Sequence, residues 1–215
     1  MILHPETIFV FDLDDTLYSE RSFEQSGISF VFKRVESCFY GRNGTLTIKD
    51  LKSNTWIDQI LDFEEISNVY SKETLLDYYR NHLPEINLYP DARNFLNRIK
   101  ANGNRMAVIT DGRSVTQRNK LKALGVENFF DVVIISEDVG SEKPALTNFQ
   151  MVGMQCQGKH YIYFGDNPKK DFLGPNQLGW ETIGLLDRGF NVHKQSSVFP
   201  KEYQPTRWIN NFDEF

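Results

Sequence analysis

Asp12, Asp14 and Asp15 stand together at the end of the apolar run Ile8-Phe9-Val10-Phe11. Two residues apart, Asp12 and Asp14 share one face of an extended chain, where like charges repel unless a cation or a substrate requires them. That crowding asks for a metal site. An acidic cluster after a strand also serves as a helix cap or a solvated turn, so its meaning depends on its company. Thr110, Asp111 and Gly112 follow a second apolar run, Met106-Ala107-Val108-Ile109. Lys143-Pro144 comes soon after a third, Val132-Val133-Ile134-Ile135, and Gly165-Asp166 with Asp171 closes a fourth, Tyr161-Ile162-Tyr163-Phe164.

Each of these unbroken runs reads as a strand buried on both faces, as in a parallel sheet. Ligands of an open α/β sheet sit outside the carboxyl ends of its strands, so polar groups distant in sequence converge there. Pro90-Asp91-Ala92 opens a helix with Ala92, Phe95, Leu96 and Ile99 on one face, and Asn102-Gly103 ends it with a left-handed cap. Residues 114–124, closed by Gly125, behave likewise, and Pro144 suits the first turn of a third helix. A fifth strand fits residues 181–186, and Gly174-Pro175 makes the preceding helix short or kinked. The alternation predicts an α/β fold, a doubly wound parallel Rossmann-like sheet.

Residues 19–88 break the alternation. Phe23, Ile28, Val31 and Val35, then Leu51, Trp56, Ile60 and Leu61, then Ile66, Val69, Leu75, Leu76 and Tyr79 follow helical spacing with no convincing strand. The chain therefore divides into a core of residues 1–18 and 89–215 and an inserted small helical domain of residues 19–88. Trp208, Ile209, Phe212 and Phe215 form a short strand or helix on the sheet edge.

With 215 residues there is length for one full core and a small appended domain. A net charge of -5 gives no general attraction for nucleic acid or an anionic membrane, so any phosphate recognition is local. No leader-like segment opens the sequence and no apolar run approaches the roughly 20 residues that span a bilayer, which predicts a cytosolic protein. Cys38 and Cys156 are expected as buried free thiols, and Asn43-Gly44-Thr45 as a turn. The expected partner is a small molecule, with neither nucleic acid nor membrane involved, on a monomer or homodimer.

Asp12-x-Asp14-x-Thr16, Thr110, Lys143 and Gly165-Asp166-x-x-x-x-Asp171 resemble, in order and placement, the four motifs of the haloacid-dehalogenase superfamily. The resemblance covers nearly the whole chain and implies a helical C1-type cap over residues 19–88. It also implies a Mg²⁺-dependent phosphatase that cleaves a small-metabolite monoester, a nucleoside monophosphate or a sugar phosphate, through an aspartyl-phosphate. Asp12 would be the nucleophile, and Mg²⁺ would be held by its carboxylate, the Asp14 main-chain carbonyl and Asp166. Asp171 would act through a metal-bound water or by orienting Lys143.

On the same resemblance Asp14 is the general acid and then the base, its pKa raised by burial beside other carboxylates. Thr110 would donate to a phosphoryl oxygen, with Asp111 and Gly112 in the same phosphate-binding turn, and Lys143 would offset phosphoryl charge. On this view Lys143→Ala folds normally. A carboxylate at Asp14 argues against dehalogenation. A phosphomutase, a non-catalytic binder of phosphorylated ligands and a receiver domain are the alternatives. The related nucleotidase and sugar-acid phosphatase branches usually carry Thr-Asn-Gly in the second motif. The extra charge of Asp111 in this chain would be compensated by Arg113.

Overall fold

The computed structural model describes residues 4–39, 47–52, 54–195 and 198–215. Asn43-Gly44-Thr45 lies outside the described residues.

The apolar runs become strands β1 (Thr7–Phe11), β2 (Met106–Thr110), β3 (Val132–Ile135) and β4 (His160–Gly165). β5 (Glu181–Leu185) and the short β6 (Arg207–Ile209) complete a six-stranded sheet of order β3-β2-β1-β4-β5-β6, parallel throughout. Two-residue periodicity sorts the side chains between the two faces. Phe9, Phe11, Val108, Phe164 and Ile183 belong to one buried cluster, whereas Ile8, Val10, Ile109 and Tyr163 belong to another. Fully apolar strands suit such a sheet because both faces are covered.

The first cluster is covered by α5 (Pro90–Ala101) and by the chain's end, where a 3₁₀ turn, Phe212–Glu214, follows β6. Phe212 stacks on Phe95 with ring centroids 5.2 Å apart, so both alternatives read for this segment are realised, a strand and then a helical turn. Asp91 secures that turn, accepting the Phe212 N–H at 2.9 Å and a two-pronged contact from Arg188 at 2.6 and 2.9 Å.

α6 (Ser114–Leu124) ends at Gly125 in the left-handed region (φ 70°), as its glycine predicts. Beyond α7 (Ser136–Val139), α8 (Leu146–Gln155) starts two residues later than Pro144 suggests. Residues 142–145 instead form a turn closed by Ala145 N–H to Glu142 C=O at 3.0 Å, and the Lys143-Pro144 peptide is cis. α9 (Leu173–Gln177), which contains Pro175, is five residues long, as expected.

Between β1 and α5 lie α1 (Glu20–Val35), α2 (Trp56–Leu61), α3 (Glu64–Ser67) and α4 (Lys72–Asn81). Ile28, Val31, Val35, Trp56, Ile60, Ile66 and Leu75 form a separate apolar core for these helices. Two of the assigned core residues fall elsewhere. Phe23 packs with the sheet cluster, and Val69 is exposed in the turn that Tyr70 N–H closes on Ile66 C=O at 2.7 Å. Cys156 is buried and Cys38 half-buried, both free. Among the described residues no helix is long and apolar enough to cross a membrane.

Candidate active site

β1 and β4 are neighbours in the sheet although β2 and β3 separate them in sequence, so the strand order reverses between them. A crevice opens at the carboxyl ends of strands at such a reversal. Asp12 stands one residue beyond β1, its N–H bonded to Phe164 C=O at 2.8 Å, and Asp166 stands one residue beyond β4. Thr110 is the last residue of β2, on the same edge.

Lys143 is the hub. Its Nζ lies 2.5 Å from Asp12 Oδ1 and 2.7 Å from Asp171 Oδ1, with the lysine side chain only 4% exposed. Asp12 Oδ2 accepts the Thr16 hydroxyl at 3.0 Å. Asp171 has both oxygens engaged. Oδ1 also accepts the Tyr163 hydroxyl at 2.9 Å, and Oδ2 accepts the N–H groups of Asp166 (3.1 Å) and Asn167 (2.8 Å). Gly165 makes this packing possible, because a Cβ there would stand 2.6 Å from Asp171 Cγ. Asp171 thus touches Lys143 directly and also stands in the acidic cluster with Asp12 and Asp166.

Burial pushes the Asp12 carboxyl up to about 7; Lys143 pulls against that and Asp171 adds to it. Asp166 is driven well above the ordinary carboxylate range by burial and then by Asp171 and Asp12. Burial pulls the Lys143 ammonium down, but Asp12 and Asp171 outweigh it and hold the group well above the usual lysine value.

Asp12, Asp166 and Asp171, all buried, offer carboxylate oxygens within 4.8 Å of one another. An all-oxygen, net-negative set of this kind suits a hard divalent cation. The Asp14 side chain is not part of it, leaving only the main-chain carbonyl for the ligand role expected of that residue.

Asp14 also departs from expectation in its surroundings. Instead of sitting only among carboxylates, it is gripped by Lys120 Nζ at 2.7 and 2.9 Å and accepts a short hydrogen bond from the Tyr18 hydroxyl. Thr110 donates its hydroxyl to Gln117 Oε1 at 3.1 Å. Asp111 accepts the Lys143 N–H at 3.0 Å and pairs with Lys170 at 2.8 Å, while Arg113 is exposed at the start of α6. Lys170, not Arg113, therefore balances the additional charge of the second motif. Gly112 adopts φ 130°, donates its N–H to Ser136 Oγ at 2.8 Å, and leaves room for Gln117 where a Cβ would sit.

Sequence reasoning passed over several groups here. Asp15, left-handed at φ 55°, accepts the N–H groups of Glu20 (2.8 Å) and Val192 (2.6 Å), tying α1 and a later loop to the first motif. Asn191 donates to Asp166 Oδ2 at 2.8 Å. Gln117 and Lys120 are buried on the same face of α6 as Leu121 and Leu124, polar residues in a stripe that otherwise faces the core; only the sheet order places them beside Asp14.

Asp12, Asp14, Thr110, Asp111, Lys143, Asp166 and Asp171 thus line one cleft of about 120 Å³. Gly112 sits just outside that lining, in a separate shallow depression with Ser136. Glu20 belongs to the cleft and also to an adjoining chamber of about 810 Å³ bordered by Arg21, Glu24, Gln25 and Tyr79.

A doubly wound parallel sheet with a lysine-bridged aspartate cluster at its strand reversal defines an α/β enzyme. Residues 9–185 match the model of the haloacid dehalogenase-like hydrolases, and the chain belongs to that family. A glyceraldehyde 3-phosphate phosphatase of Methanocaldococcus jannaschii is 29% identical over 82% of this chain and 83% of its own length. A ribulose-1,5-bisphosphate 5-phosphatase of Halopiger xanaduensis is 27% identical over the same shares, 82% and 83%. Among solved structures, the HAD-hydrolase YfnB of Bacillus subtilis, bound to magnesium, superimposes with a TM-score of 0.66 at 19% identity, covering 98% of this chain and 97% of its own. The chain is a hydrolase, and its phosphatase relatives put it with the members of the family that cleave phosphoric esters.

Proposed function

We propose that this protein is a Mg²⁺-dependent phosphomonoesterase that removes phosphate from a small soluble metabolite, a sugar phosphate or a nucleoside monophosphate, through an aspartyl-phosphate on Asp12. The observation that carries the reading is the placement of the Asp12 carboxylate, fixed between the Thr16 hydroxyl and the Lys143 ammonium at the strand reversal and lining a small cleft that adjoins a larger chamber. The sugar-phosphate substrates named for the two relatives support the substrate class. Helices α1 to α4, with their own core, would serve as the cap that closes over the ester, and cytosolic metabolites are the expected substrates.

An Asp12 oxygen attacks phosphorus, an O–P bond forms, and the bond to the leaving oxygen breaks as Asp14 supplies that oxygen with a proton. Asp14 then takes a proton from the water that attacks the aspartyl-phosphate, releasing phosphate and restoring Asp12. Thr110 exchanges its bond to Gln117 for one to a phosphoryl oxygen, and Lys143 balances charge on the transferring group. Asp171 holds Lys143 in place from the other side. Asp12, Asp166 and the Asp14 carbonyl would hold Mg²⁺, which when bound neutralises charge between the nucleophile and the phosphoryl dianion.

A hydrolysis panel of sugar phosphates, nucleotides and phosphorylated acids, run with Mg²⁺ and with excess chelator, tests this. Turnover of at least one metabolite is expected with Mg²⁺ and is expected to disappear with chelator. Mg²⁺ should also raise Tm by several degrees, since it binds the folded aspartate cluster alone. Calcium should raise Tm but inhibit, its looser coordination letting it chelate the nucleophile in a bidentate way. Full activity in chelator would overturn the metal assignment, and no turnover of any ester would overturn the phosphatase reading.

A further inference from the structure

Lys120 is a lysine whose side chain is 4% exposed and that the proposed reaction steps leave without a part. Lysines are almost never buried this far unless paired. The carboxylate paired with it is Asp14, with Nζ 2.7 Å from Oδ1 and 2.9 Å from Oδ2. A buried pair of this kind is weak evidence for stability, because desolvation offsets the attraction and an apolar replacement often does as well. What it supplies is direction, since a cation bonded to both oxygens fixes where the carboxylate points.

The neighbours of Lys120 fit that purpose. Gln117, one turn earlier on α6, accepts the Thr110 hydroxyl at 3.1 Å, donates to Asp111 C=O at 2.9 Å and reaches Asp14 Oδ2 at 3.5 Å. On its other side the Lys120 ammonium lies 4.3 Å from the centre of the Phe23 ring on α1. One helix face therefore touches the acid, the hydroxyl donor and the helical segment above them.

We propose that Lys120 is a positioning residue that aims the Asp14 carboxylate at the leaving oxygen, and that its seat against Phe23 makes this aim depend on how α1 packs. The inference rests on the reading of Asp14 as general acid and base. Asp14 is needed where a leaving oxygen must gain a proton and where water attacks the aspartyl-phosphate, but not for departure of nitrophenolate. Loss of aim should therefore show the same selectivity.

The experiment compares Lys120→Met, which keeps an unbranched apolar chain in that place, with Lys120→Gln and Asp14→Asn. Each is assayed on an alkyl phosphate and on nitrophenyl phosphate, with rapid-quench measurement of phospho-enzyme and thermal unfolding as a check on folding. For Lys120→Met, kcat on the alkyl ester should fall by about a hundredfold, the scale of a small misplacement of a catalytic group. KM should change little, and phosphorylation by the nitrophenyl ester should stay near the parent rate and give a burst. Should the methionine variant unfold, the glutamine variant, which retains a polar head, carries the same expectation. If Asp14→Asn discriminates between the esters and the Lys120 variants do not, positioning by Lys120 is overturned alone. If Asp14→Asn itself hydrolyses both esters at the parent rate, the acid and base reading is overturned and this inference with it.

Discussion

Asp12→Asn should lose turnover of every phosphate ester, whatever its leaving group, in a protein that unfolds no more readily than the parent in chelator. The loss follows from chemistry, because a neutral amide oxygen is a poor nucleophile towards phosphorus. The preserved stability follows from the count of charges around Lys143. Its ammonium is shared by Asp12 at 2.5 Å and Asp171 at 2.7 Å, so a neutral residue 12 leaves the lysine paired with Asp171. Burial already weighs against charge on Asp12, raising its pKa to about 7, and the substitution removes that penalty. The stabilising shift given by Mg²⁺ should shrink at the same time, one carboxylate having gone. Rapid-quench assays and thermal scans with and without Mg²⁺ measure all three effects; phospho-enzyme formed by Asp12→Asn would show that another residue is the nucleophile.

The fold and the strand-end residues were legible because both are written as contiguous signals. A strand buried on two faces must be apolar throughout, and the residue that ends it is marked by the change to Asp, Thr or Gly. Asp12, Thr110 and Asp166 could therefore be placed on one sheet edge before any coordinates. Pro144 misled because a proline after a strand fits a first helical turn equally well, and the turn that excludes it is closed by main-chain atoms of Glu142 and Ala145, which leave no side-chain trace. Lys170 was hidden behind Arg113, since adjacency in sequence says nothing about which cation the turn of residues 166–171 brings to Asp111. Lys120 and Gln117 were invisible for the same reason on a larger scale. They share the buried stripe of α6 with Leu121 and Leu124, and a polar residue in such a stripe does not say what it faces; only the position of α6 beside the end of β1 makes that partner Asp14.

The surroundings of Asp14 carry the same lesson into the chemistry. Carboxylates clustered in the sequence suggested a general acid among like charges, yet the chain delivers a cation from α6 and a phenol from Tyr18 to the same oxygens. Crowding of acids in a motif does not fix the field they experience; the elements packed against the motif do.

Lys143→Ala should reduce kcat by a hundredfold or more, the scale on which a single charge-stabilising group acts in a transition state, about two to three orders of magnitude. The structure adds a consequence that the sequence did not suggest, because this variant should not fold with parental stability. Its Nζ is the ammonium paired with both Asp12 and Asp171, in a site where the lysine is 6% exposed, Asp12 6% and Asp171 1%. Truncation leaves two buried carboxylates facing each other without a counter-charge, and breaking a buried pair in this way typically removes about 3–5 kcal/mol. Asp12→Asn leaves the ammonium in place and escapes this loss, so the two variants should be alike in activity and opposite in stability. Mg²⁺ should return part of the lost Tm to Lys143→Ala, since a divalent cation among Asp12, Asp166 and Asp171 supplies positive charge to the same oxygens, while activity stays low because the lysine's contact with the transferring group is still missing. Chemical denaturation in chelator and in Mg²⁺, beside steady-state kinetics, separates the two effects. Parental stability in chelator would mean that the carboxylates shed their charge at little cost, and parental kcat would return Lys143 to a purely structural place beneath the site.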